Sequence, residues 1–389
     1  MKKSILLAMV LSSLSIADAW NFKGNAVAYI QTQDNSGTTD FGSDESTFND
    51  FGIQLKATNH SLFDTIGAGI ELTGLYSNNK FSNLRIQHAG NSESGTPRES
   101  GGAITQAYLT YGYLNSSIKA GRQHLPKSLS PFAFTETWQP LENSFDALLL
   151  VNTDISNTAV IYAGVNKSNG SNSADIGSFN KINQNGTLVH MLTVQNKSIE
   201  NFIVTGSFYY TADYKVDTTI DNLNILWGDA KYLYNNYTIS VQAGQIQKME
   251  NTKETNAFGM QAGTTYNIYN ASVSLSYVND GTIKLQNLGT GVKTPLYTQL
   301  ILNQGRIKSN SSTVVVRLGA KVLEGKLEVA YDFTKDYSEA KIDYTEFEVT
   351  FKKNLTQQTK IFLGYMYADL DAKNMDPNNR FRVWVKYNF

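Results

Sequence analysis

Phe381-Arg382-Val383-Trp384-Val385-Lys386-Tyr387-Asn388-Phe389 closes the chain on a strict alternation. Successive side chains of a β-strand point to opposite faces, so residues two apart share a face. Phe381, Val383, Val385, Tyr387 and Phe389 therefore form one apolar, aromatic face, and Arg382, Lys386 and Asn388 fall on the other. A strand that meets lipid on one side and a wet lumen on the other requires this pattern. It predicts a transmembrane β-barrel wall.

The same signature recurs upstream. Val314, Val316, Leu318, Ala320 and Val322 alternate with Arg317 and Lys321. Leu327, Val329, Tyr331 and Phe333 alternate with Lys326, Glu328 and Asp332, and Phe347, Val349 and Phe351 with Glu346, Glu348 and Lys352. Ile361, Leu363, Tyr365 and Tyr367 continue the lipid face on the next segment. A Lys or Arg on the lipid face costs about 2–4 kcal/mol at mid-bilayer, so these charges belong to the lumen. A lumen holding them must contain water, because a dry interior leaves charges unsolvated.

The start of the chain fits an exported protein. Met1-Lys2-Lys3 is cationic, Ile5 to Ile16 is an apolar run diluted by Ser, and Ala17-Asp18-Ala19 has the form of a signal-peptidase site. A signal peptide over 1–19 and a mature barrel domain over 20–389 are expected. There is no cysteine, so disulfides and thiolate metal sites are absent. Proline is scarce at 6 residues, while Tyr at 22 and Phe at 19 suit strands and membrane interfaces. A mean hydropathy of −0.31 is compatible with a barrel, in which only alternate residues face lipid. A net charge of −1 gives no basic excess for nucleic acid.

The gaps between strand-like segments alternate in length. Asn115-Ser116, Asn235-Asn236, Glu324-Gly325 and Asn354 to Gln358 are short; Gln33 to Thr47, Ser77 to Gly101, Pro126 to Ser144, Lys167 to Gly186 and Asp280 to Ser311 are long. Short periplasmic turns and long outer loops have this asymmetry. The expectation is an all-β, antiparallel transmembrane barrel of about 18 strands, with 16 as the alternative. Tyr76, Tyr111, Tyr113, Tyr234, Tyr237, Tyr266, Tyr269, Tyr277 and Tyr387 sit near strand boundaries and are expected to form aromatic girdles.

The segment from Gly121-Arg122-Gln123 to Asn157 is distinct. Pro126 and Pro131 stop the ladder, and Phe132, Phe134, Trp138, Leu141 and Phe145 make a loop that needs burial. Such a third loop is expected to fold into the lumen and narrow it. Its Gly-Arg-Gln strand end, its prolines, Pro140-Leu141-Glu142-Asn143-Ser144-Phe145-Asp146 and Val151-Asn152-Thr153-Asp154 resemble the Opr-type (OprD-like) outer-membrane porins of epsilonproteobacteria. These are akin to the campylobacterial major outer-membrane porin. The terminal Phe389 also resembles the signal read by the barrel-assembly machinery, with Phe381, Val383, Val385 and Tyr387 completing it. The resemblance implies an 18-stranded homotrimer in outer-membrane lipid, passing ions and small hydrophilic solutes. It gives a weak lean toward cations. The campylobacterial relative is associated with calcium, but no ligands can be assigned here and no cofactor is expected.

For a channel, the site is an electrostatic field at a constriction. The candidates are Lys119, Arg122, Arg317, Lys321, Arg382 and Lys386 on the wall, Glu346 and Glu348 among wall carboxylates, and Glu136, Glu142 and Asp146 in the inserted loop. Wall cations facing loop carboxylates would set a transverse field. Strict alternation from Ile118 and Ala120 would put Arg122 toward lipid, so a bulge near Gly121 is expected to turn it inward. A second reading is a specific channel for small carboxylates, amino acids or peptides, with Arg122, Arg317, Lys321, Arg382 and Lys386 as a basic ladder. An enzyme is disfavoured: His60, His88, His124 and His190 share no motif, and no G-x-S-x-G, H-E-x-x-H or P-loop occurs.

Overall fold

The computed structural model describes residues 20–35, 40–43, 46–63, 65–78, 100–137, 139–170, 176–291, 295–372 and 376–389. The expected signal peptide and Trp138 lie outside the described residues.

Eighteen antiparallel strands close into one barrel. They are β1 (Asn21–Asn35), β2 (Thr47–Phe63), β3 (Ile66–Ser77), β4 (Ser100–Tyr113), β5 (Ser116–Gln123), β6 (Phe145–Asn152), β7 (Thr158–Ser168), β8 (Val189–Asn196) and β9 (Phe202–Val216). The wall continues through β10 (Thr219–Tyr234), β11 (Tyr237–Ile246), β12 (Thr255–Tyr266), β13 (Tyr269–Val278), β14 (Ser311–Val322), β15 (Gly325–Asp336), β16 (Tyr344–Asn354), β17 (Thr359–Leu370) and β18 (Asn378–Asn388). Each strand pairs with its sequence neighbours. β18 then pairs with β1 from Asn25↔Asn388 to Asn35↔Asn378, so no open edge remains. Closure extends to the last residue: the Gly24 amide donates to the Phe389 carbonyl at 2.7 Å, and the Phe389 amide donates back at 2.9 Å. A Cβ at Gly24 would lie 2.4 Å from the Phe389 ring, which would have to swing aside.

Both termini and the short turns lie at one end, the long loops at the other. The turns include 114–115, 235–236, 267–268 and 323–324. Leu114, Asn235, Asn267, Leu323 and Glu324 take positive φ there, as tight antiparallel turns demand. One outer connection departs from the expected asymmetry: β9 and β10 are joined by two residues, 217–218.

The alternation read from the sequence is the wall. Leu318, Tyr331, Phe333, Phe381, Tyr387 and Phe389 are exposed on the outside, while Val315, Asp332, Glu346 and Arg382 are buried within. All nine expected girdle tyrosines are exposed.

The interior is not uniformly polar. Along β6–β13 the inward residues Phe145, Ile161, Val165, Met191, Tyr209, Ile225, Trp227 and Ile246 are buried in one apolar cluster. Their partners are residues of two loops: Leu125, Phe132 and Ala133 from 124–144, and Ile283, Leu285, Leu296 and Ile307 from 279–310. Half of the lumen is thus filled by loops packed on an apolar wall. The half lined by β14–β18 and β1–β5 keeps the charges.

Candidate channel constriction

The loop 124–144, called L3 here, enters the barrel from the short strand β5. Phe132 anchors it, with its ring edge-on to Tyr209 at 5.6 Å and to Trp227 at 5.3 Å between centroids. The Phe132 amide also donates to the Tyr209 hydroxyl at 3.1 Å. From there L3 crosses to the opposite wall, where Lys386 Nζ donates to the Pro140 carbonyl at 3.3 Å. Internal bonds shape it: the Thr135 amide donates to the Leu125 carbonyl at 2.7 Å, and the Glu136 amide to Asn143 Oδ1 at 2.7 Å.

A second loop, 279–310 (L7), also folds inward. Its length predicts a long outer loop, and a loop carries no periodicity that reports where it packs. L7 meets L3 through Asn287, whose side-chain amide donates to the Phe134 carbonyl at 2.7 Å and to Glu136 Oε1 at 3.1 Å. The Leu288 amide adds a bond to the Phe132 carbonyl at 2.7 Å. At its far side L7 is held by wall charges. The Ile301 amide donates to Glu348 Oε1 at 2.5 Å and the Leu302 amide to Glu346 Oε1 at 2.9 Å. Asn303 donates to Asp332, and Arg317 donates to the carbonyls of Tyr297 and Gln299 at 3.2 and 2.5 Å.

A cavity of about 380 Å³ lies between these loops and β14–β18. Thr137, Gln139, Pro140 and Glu142 of L3 and Gln299, Leu300 and Ile301 of L7 border it. Arg317, Lys352, Lys360, Arg382 and Lys386 line it from the wall, with Glu328 and Glu348. Phe362 and Trp384 stack nearly parallel in the same wall, 5.4 Å apart, and Lys352 Nζ lies 5.4 Å from the Phe362 ring centroid. The five cations outnumber the three carboxylates. Two of those carboxylates are already engaged: Glu348 with L7, and Glu328 with Lys326 at 2.5 Å.

The third, Glu142, is the loop carboxylate facing the aperture. Its Oε2 lies 3.2 Å from His124 Nδ1. Burial raises the Glu142 carboxyl above its ordinary range, and Lys386 counters this. His124 is pushed down to about 3 by burial, then by Lys56 and Lys119, so it stays neutral and its Nδ1–H donates to Glu142.

The structure sorts the sequence candidates. Arg317, Arg382, Lys386, Glu348 and Glu142 line one cavity. Lys119 is inward but elsewhere, its Nζ 3.8 Å from the Tyr108 ring centroid. Lys321 is exposed beside the 323–324 turn, opposite Lys326, below the constriction. Glu346 and Glu136 are buried and clamp L7 and L3 instead of facing the aperture. Lys360 was not singled out from the sequence, although its alternation with Ile361 and Leu363 carries the signal.

Two candidates are corrected. Pairing runs without a register shift through Tyr108↔Gly121 and Ala107↔Arg122, so no bulge turns Arg122 inward. Gly121 takes φ +120 and a Cβ there would lie 2.3 Å from the Ala107 carbonyl, so the strand kinks without losing its register. Arg122 stays in the outward row of Ile118. Asp146 belongs to β6 rather than to the loop, and it neutralises Arg122 at 2.8 Å.

A family model described as Gram-negative porin matches residues 4–373. A search of curated proteins by sequence found no match. Solved structures with the same fold include Acinetobacter baumannii OccAB3 (TM-score 0.76, 11% identity, covering 96% of this chain and 99% of that one). Pseudomonas aeruginosa OccK8 (OprE) aligns at TM-score 0.74 and 10% identity over 95% and 98% of the two chains. Pseudomonas aeruginosa OpdK, solved with vanillate, aligns at 0.74 and 12% over 96% and 98%.

Proposed function

The chain belongs to the Gram-negative porin family, and from that premise we propose that it passes small hydrophilic solutes by diffusion, with a preference for anions and small carboxylates. It is an outer-membrane transport channel, not an enzyme. The observation that carries the preference is the wall of Arg317, Lys352, Lys360, Arg382 and Lys386 around a 380 Å³ gap. An excess of one sign in a narrow, low-dielectric passage concentrates counter-ions. This reading replaces the weak lean to cations, which rested mainly on resemblance. The stacked Phe362 and Trp384 beside Lys352 suit a flat solute bearing a carboxylate, and OpdK was solved with vanillate. The finer kinship to epsilonproteobacterial porins and a homotrimeric assembly belong to the same proposal.

Swelling of vesicles containing the protein tests the preference. Small carboxylates should enter several-fold faster than their neutral amides of equal size. Equal rates would leave a general diffusion channel.

A further inference from the structure

In most of the wall, charges in outward rows stand at the ends of long strands, as Asp34, Lys335, Lys353 and Asp369 do. The face of β5–β7 is different. β5 and β6 are short, so their outer ends stop at mid-height of their neighbours. Arg122 pairs with Ala107, and Ala107 with Ile70. Ala107 is four residues from the exposed Tyr111, and Ile70 is six from the exposed Tyr76. At the rise of a strand those separations are about 13 and 20 Å along the wall, which places Arg122 between the aromatic belts.

Asp146 shares that level, and Lys167 pairs directly with Asp146 on the same face. Arg122 Nε and Nη2 donate to the Asp146 carboxylate at 2.8 and 3.4 Å, and Nη1 donates to the Ile104 carbonyl at 2.8 Å. The Phe179 ring lies against the guanidinium, its centroid 3.4 Å away. Even so, the two side chains remain 25% and 31% exposed. A partly exposed charge row between the belts is costly against acyl chains, which offer it no partner.

We propose that this face, centred on Arg122, Asp146 and Lys167, is where a second copy of the chain docks. The row presents a carboxylate between two cations, so it is self-complementary. In a closed ring the face of one copy meets the next, and Asp146 of one can lie against Arg122 or Lys167 of the other. The small neighbours Ala107 and Ala120 let a second wall approach closely. This deepens the homotrimeric part of the reading above and leaves the channel reading independent of it.

The chain has no cysteine, so single introduced cysteines report one place each. Leu148→Cys on this face and Leu318→Cys on the opposite wall, both exposed apolar positions, would carry a fluorophore in phosphatidylcholine vesicles containing a lipid-phase quencher. Leu148→Cys should be quenched several-fold less than Leu318→Cys. The paired replacement Arg122→Leu with Asp146→Leu, which suits a lipid-facing wall, should abolish that protection and the oligomer on native electrophoresis while the barrel stays folded. Equal quenching at both positions overturns the proposal, as does protection that arises only when phosphorylated lipid A is added, which would assign the face to anionic lipid. Channel conductance of the same vesicles reports separately on the porin reading.

Discussion

Lys386 shows how one residue carries both structure and selectivity. Its ammonium holds the Pro140 carbonyl of L3 and lines the aperture with Glu142. A unit charge about 8 Å from a passing ion, at an effective dielectric near 40, is worth about 1 kcal/mol, or about fivefold in relative permeability. Lys386→Glu changes the charge by two units, so it should move the chloride-to-potassium permeability ratio toward potassium by well over that factor, measured from reversal potentials. Glu142→Gln should move it the opposite way. His124 adds a pH dependence. Its folded value near 3 lies below the unfolded value near 6.5, so the folded state binds fewer protons between these limits. Stability should fall as pH drops from about 6.5 toward 3, and His124→Asn should flatten that part of the urea-midpoint profile. At this scale the facing of Arg317, Arg382 and Lys386 is legible from alternation alone. It misjudged Arg122, because an outward charge looks forbidden until its carboxylate partner on the neighbouring strand is known.

At the scale of elements, the strands were legible and the loops only partly so. Alternation is local and reports a wall directly, whereas the docking of L7 depends on groups far apart in sequence. Glu346, Glu348 and Asp332 looked like lumen charges and are in fact the clamps of L7. Glu348→Ala would take the carboxylate from the half-buried Ile301 amide, at about 1 kcal/mol, and loosen the loop. The expected readout is larger, noisier single-channel conductance. L3 was legible through its aromatic content, and its anchor is Phe132. Phe132→Ala should cost about 3–5 kcal/mol and also raise conductance, because the loop loses its contact with Tyr209 and Trp227. Unchanged conductance in both variants would show that neither loop narrows the path.

At the scale of the whole molecule, closure and asymmetry define the channel. β18 seals against β1 to the final residue, so removing Phe389 should reduce barrel insertion, seen as loss of the heat-modifiable folded band. The lumen is divided between a loop-filled apolar half and a charged half, a division that the sequence hid because Ile161, Val165, Met191 and Ile225 resemble any buried strand residues. The charged half is the passage, and its wall is basic. The reversal potential of single channels in a planar bilayer under a potassium chloride gradient tests this most directly. Open ohmic steps with a reversal potential on the chloride side, and a current reduced by small carboxylates, are expected. A reversal potential on the potassium side, or no conductance at all, would contradict a basic, water-filled passage.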